Sequence, residues 1–158
     1  MAWVLIVLAA LFIQSPQPPH AQQAPQSAQQ ARPAAAAPAS TLDYEFFKTR
    51  VQPIFLAKRP GHARCITCHE SGQPRLQPLA EGASTWTEEQ SRQNFAAWQR
   101  VVTPGDPNAS RLLMHPLAKS AGGDPFHAGG KHWQSQSDPE WQVLASWVKG
   151  EKATPSSR

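Results

Sequence analysis

Both cysteines of the 158-residue chain fall in one pentapeptide, Cys65-Ile66-Thr67-Cys68-His69. Two thiols three positions apart share one face of a helical turn. This is the C-x-x-C-H attachment signature of c-type haem. The two thiols reach the vinyl groups on one edge of the haem as thioethers, and the adjacent imidazole turns toward the iron. Three rival chemistries explain the spacing less well. A thioredoxin-like redox pair follows a strand in a βαβ setting, and the flanking sequence shows no strand. A zinc site needs four ligands, and no second paired motif exists. A disulfide across so short a loop stabilises little. The pattern predicts one covalent haem c on Cys65 and Cys68, with His69 as the first axial ligand.

An iron held by His69 has a second axial face. The candidates are Met114, His115, His127 and His132, with His62 and His20 in weaker positions. His62 lies too close to the attachment motif for the chain to wrap to the far side. His20 falls in the expected processed segment.

Residues 2–13 form an almost unbroken apolar run, too short to span a bilayer and the right length for the apolar core of a secretory signal. The segment 1–21 is therefore expected to be a signal peptide cleaved after Pro19-His20-Ala21, placing the protein in the periplasm or outside the cell. Membrane association is expected only if that segment is retained. Residues 22–40 continue a Gln/Ala/Pro stretch that carries one charge, Arg32, and Pro25, Pro33 and Pro38. Such a composition buries too little apolar surface to offset the entropy of ordering, and it reads as a tether. The folded module is expected over 41–152, with a flexible tail at 153–158.

Within that module the periodicities are helical and strand alternation is absent. Residues 43–58 place Phe47, Val51 and Phe55 four apart beside Ile54, with Pro53 expected to kink or break the helix. Thr87 and Gln90 have the capping-box spacing, and they open a helix carrying Phe95, Trp98 and Val102 that Pro104-Gly105-Asp106-Pro107 stops. Ser110 is placed to cap a short helix through Leu112 and Leu113. Asp138 is placed to cap a C-terminal helix, with Pro139 in its first turn, Trp141, Leu144, Ala145 and Val148 on its apolar stripe, and Gly150 at its end. The stretch 115–137 shows no helix period, and loops of that length are uncommon unless functional or disordered. The fold class expected is all-α.

The order of helix, C-x-x-C-H, helix, Gly-rich loop and Trp-bearing helix resembles the small monohaem cytochrome c domains of bacterial exported proteins. A narrower group is similar through Phe46-Phe47-Lys48-Thr49-Arg50-Val51-Gln52-Pro53-Ile54-Phe55, Phe126-His127-x-Gly129-Gly130-Lys131 and Asp138-Pro139-Glu140-Trp141. The resemblance spans roughly residues 43–150. It implies cytochrome c-like helices wrapped around one haem. It also implies a distal ligand from the loop before the last helix, which favours His127, with His132 and Met114 as alternatives. No Met lies in that loop, so the chain departs from the familiar His/Met pattern.

The function this implies is one-electron transfer, with no catalytic residues. The alternatives are a haem enzyme or small-ligand sensor with a displaceable distal ligand, and a haem relay subunit of a larger respiratory assembly. A formal net charge of +4 suits redox partner proteins with acidic surfaces. No Lys/Arg cluster marks a nucleic-acid footprint.

Overall fold

The computed structural model describes residues 41–154. The apolar run, the expected cleavage site, His20, the tether and the last four residues lie outside the described residues. Among the described residues no strand forms, and two isolated bridges, Arg59 with His62 and Leu117 with Trp133, are the extended pairing. The module is all-α, as the sequence predicts.

The first helical run begins where the Asp43 side chain accepts the Phe46 N–H at 2.7 Å. It passes through α1 (Tyr44–Phe46), a π-helical turn (Phe47–Val51) and α2 (Gln52–Leu56). Pro53 does not end this run, which stays helical to Leu56, although a π turn interrupts the α pattern just before it. The π turn ends at Val51, so Pro53 falls at the start of a fresh α segment. Phe47, Val51, Ile54 and Phe55 are all buried. After α2 the chain leads into α3 (Cys65–His69), the attachment pentapeptide itself.

Helix α4 (Glu88–Trp98) opens with the complete capping box. The Gln90 N–H donates to Thr87 Oγ1 at 3.2 Å, and the Thr87 N–H donates to Gln90 Oε1 at 3.0 Å. A 3₁₀ turn, Gln99–Val101, extends it. Its buried face includes Ser91 and Asn94 as well as Trp98. Ser91 donates to Gln52 Oε1 at 3.2 Å, and Asn94 Oδ1 accepts the Gln77 N–H at 2.7 Å. This polar seam ties α4 to the first helical run and to the segment after α3.

Two capping expectations hold in position but not in chemistry. Ser110 precedes α5 (Arg111–Met114), yet its hydroxyl accepts the Thr103 N–H at 2.9 Å and donates to the Asp106 carbonyl at 2.7 Å. It binds the preceding turn rather than the helix. Asp138 precedes α6 (Pro139–Val148), and its Oδ2 accepts from the Gln134 and Ser135 N–H groups. It closes the turn that delivers Pro139.

The core lies where α6 crosses the π turn. Trp147 is fully buried, with its ring 5.2 Å from Phe47 and 6.1 Å from Phe95, and its indole N–H donates to the Asp43 carbonyl at 2.9 Å. Trp141, Leu144, Ala145 and Val148 complete the buried stripe. Chain entry and C-terminal helix are thereby locked together, leaving α3, α5 and the 115–137 loop to form one side of the module.

That loop is ordered by its own bonds. The Ala118 N–H donates to the Trp133 carbonyl and the His132 N–H to the Pro116 carbonyl, both at 2.8 Å. Lys131 Nζ reaches the carbonyls of His115, at 2.8 Å, and Asp124. Gly123 sits so close to the Leu117 carbonyl that a Cβ there would lie 2.0 Å from its oxygen. The result is a compact loop with its two ends side by side, as functional Ω-loops are.

Candidate functional site

Helix α3 forms one edge of a cleft with about 950 Å³ of space, part of it open to solvent. Cys65, Cys68 and His69 all line it. One short helix therefore brings both thiols and the imidazole to the same wall. The thiols are free and unequal: Cys65 is half-buried and Cys68 exposed. Burial pushes the Cys65 thiol pKa up, and the guanidinium of Arg59 opposes that rise.

Arg59 is fixed in turn. Its Nε donates to Glu140 Oε2 at 2.6 Å, and its Nη2 donates to the Ile54 carbonyl at 2.9 Å. Glu140 Oε2 also accepts the Trp133 indole N–H at 3.3 Å. This ion pair joins the start of α6 to the segment entering α3, so α6 holds the cleft wall as well as the core.

The His69 ring is oriented by the carbonyl of Pro74, 2.8 Å from Nδ1. With Nδ1–H donating there, Nε2 carries the lone pair and is the atom available to a metal. Ligating histidines are commonly oriented this way. Burial lowers the His69 pKa, favouring the neutral ring that a ligand must be. The ring packs edge-on against Trp98, with centroids 5.0 Å apart.

Of the distal candidates, the structure brings three to the cleft wall: His115, His127 and His132. His127 Nδ1 donates to the Gly130 carbonyl at 2.5 Å. The return of the chain at Gly130 uses a φ of +79°, a left-handed conformation suited to glycine. Burial, with the neighbouring His115, His69 and Lys131, lowers the His127 pKa. His115 Nδ1 faces Asp124 Oδ2 at 2.8 Å. The rings of His115 and His127 lie 4.9 Å apart, and those of His127 and His132 lie 5.7 Å apart. His132 Nδ1 is buried with no hydrogen-bond partner, and burial first, then Arg59 and the surrounding imidazoles, lowers its pKa to about 4.

Met114 is not on the cleft wall. It packs against the apolar core, at the end of α5 where the Leu112-Leu113 run continues inward. His62 is also off the wall, its ring stacked near His132 at 5.1 Å. The Lys131 ammonium is committed to the His115 and Asp124 carbonyls.

The remaining walls are mainly apolar, with Phe55, Trp98, Val101, Leu112, Pro116 and Trp133. Arg64 and Arg111 add positive charge, and among the described residues no carboxylate lines the cleft. The Trp98 indole N–H is buried beside it without a hydrogen-bond partner. Sequence reasoning did not find Asp124, Arg59 or Arg111 as site residues. Asp124 pairs with a histidine nine positions away across an irregular loop, and Arg59 pairs with a glutamate 81 positions away. Neither pairing has a periodic signature.

Among the described residues, no group of three or more His, Cys, Asp or Glu side chains is arranged to hold a bare metal ion. The donor set is instead two thiols and one oriented imidazole on one wall of a broad apolar cleft. Oriented imidazoles also line the cleft, its mouth is basic, and a buried indole N–H is left to spare. These features fit a flat, largely apolar cofactor bearing carboxylates and an iron.

No family model matches the chain, and neither the curated proteins nor the solved structures include a significant match.

Proposed function

We propose that this protein is an exported one-electron carrier with a single haem c bound covalently through Cys65 and Cys68. The observation that carries the reading is the placement of Cys65, Cys68 and His69, from one short helix, along an apolar cleft, with His69 already oriented through Nδ1. When bound, the haem supplies reversible one-electron exchange at iron.

The chain's own residues do the rest. His69 would ligate the iron through Nε2, with Pro74 fixing its tautomer, and His127, braced by Gly130, would supply the second ligand. Phe55, Trp98, Leu112 and Trp133 exclude water from the cofactor's faces. Arg64 and Arg111 offer positive charge to its carboxylates, and the Trp98 indole N–H offers a neutral donor. Two imidazoles stabilise the ferric form more than an imidazole and a thioether do, so a potential below that of His/Met sites is expected.

Haem attachment through C-x-x-C-H takes place outside the cytoplasm, which accords with the apolar run at 2–13. The partners proposed are redox proteins with acidic surfaces, met weakly and briefly. The proposal is tested by producing the chain in a haem-attaching host and measuring its mass. A gain of one haem, lost when Cys65 and Cys68 are both replaced by Ala, is expected. An intact mass with no addition overturns it.

A further inference from the structure

A carrier needs one distal ligand, yet the cleft holds two imidazoles equipped for the task. His127 and His115 each have Nδ1 committed, to the Gly130 carbonyl and the Asp124 carboxylate respectively. Among the described residues no hydrogen bond takes the Nε2 of either ring. Both rings line the cleft, with centroids 4.9 Å apart. His132 differs, because its buried Nδ1 has no partner to set its tautomer or orientation.

The two oriented histidines also share a support. Lys131 donates to the carbonyls of His115 and Asp124, so one ammonium braces the His115 backbone and the loop that leads to His127. His115 follows directly on α5, whereas His127 stands on the irregular part of the loop. The rigid and the adaptable support therefore sit side by side.

We propose that His115, oriented by Asp124, is a second distal iron-ligating imidazole, and that the cleft exchanges it with His127. This rests on the haem reading above. The two ligands are not equivalent. A carboxylate partner raises the basicity of an imidazole more than a carbonyl partner does. Ligation by His115 therefore favours the ferric state more strongly, and exchange between the two gives the carrier two potentials.

The test uses the haem-loaded His127→Ala, His115→Ala and double variants, read by visible spectrum, potential and carbon monoxide binding. The expected result is that both single variants stay low-spin and that His127→Ala has a potential below the parent's. The double variant turns high-spin. Adding Asp124→Asn to His127→Ala should raise carbon monoxide affinity about tenfold or more, the usual scale for losing a partner that orients a ligand.

A His127→Ala protein as high-spin as the double variant overturns the exchange and leaves His127 as sole distal ligand. A His115→Ala protein that is high-spin by itself also overturns it, assigning the iron to His115 alone. A double variant that stays low-spin overturns it in favour of His132. A protein carrying no haem at all fails at the mass measurement, before any of these arms.

Discussion

Nδ1 of His69 lies 2.8 Å from the carbonyl oxygen of Pro74. The bond selects the tautomer that leaves Nε2 as the lone-pair donor, and it fixes the ring plane relative to the two thiols on the same helix. If His69 holds the iron, His69→Ala should leave the thioethers intact and abolish the paired low-spin bands. Reduced protein should then bind carbon monoxide readily. A His69→Ala protein with an unchanged low-spin spectrum would remove His69 from the iron.

Trp147 joins the chain's entry to its last helix through Phe47, Phe95 and the Asp43 carbonyl. Its truncation to Ala should cost about 3–5 kcal/mol, the range for removing a large buried aromatic. Trp147→Phe should cost less, retaining most of the buried area while losing the indole bond. Denaturant midpoints of the two variants, compared at equal slope, give the difference. Equal midpoints would mean that the crossing of α6 over the π turn contributes little.

Gly123 is needed for lack of space rather than for flexibility. A Cβ would stand 2.0 Å from the Leu117 oxygen, a backbone atom that cannot rotate away. Gly123→Ala should therefore cost about 1–3 kcal/mol, as overpacking does, and loosen the loop that carries His127. Hydrogen exchange should accelerate at Ala118 and His132, whose N–H groups close the loop. Faster exchange throughout the module with none specific to these amides would contradict the local account.

His132 makes stability depend on pH. Its ring titrates near 4 in the fold against 6.5 for an unperturbed histidine. Burial drives the shift, with Arg59, His62, His127 and His69 adding repulsion to the charged form. Between those values the unfolded chain binds more protons than the folded one, so stability rises with pH from about 4 to 6.5 and levels off above. Unfolding midpoints at pH 5 and pH 7 should differ less in His132→Gln than in the parent. An identical difference in both would show that His132 does not contribute.

Much of this architecture is legible in the sequence because its signals are local. The capping box at Thr87 and Gln90 and the Trp141–Val148 stripe each involve neighbours within a few positions, whereas the helix expected to carry Val102 up to Pro104 ends at Val101, with Val102 already extended. Pro53 does not break the run because the π turn before it resets the helix, and no residue in Phe47–Val51 announces such a turn. Ser110 and Asp138 mark helix starts correctly, but their oxygens had nearer N–H groups in the preceding turns. Ser91 and Asn94 carry no signal of burial in the sequence, yet they are buried through bonds to Gln52 and Gln77. In the cleft, Cys65, Cys68 and His69 are legible as one word. The family resemblance ranks His127 ahead of His132 and Met114, but spacing alone does not tell which of them, or His115, reaches the wall, since that depends on how the loop closes over Lys131 and Gly123.

The most direct measurement is the visible spectrum of the protein from a haem-attaching host, oxidised and reduced, before and after acid-acetone extraction. Haem that stays with the polypeptide and gives sharp low-spin bands on reduction is the predicted result. Haem that passes into the acetone, or no haem absorption at all, would contradict the account and return Cys65, Cys68 and His69 to thiol or metal chemistry.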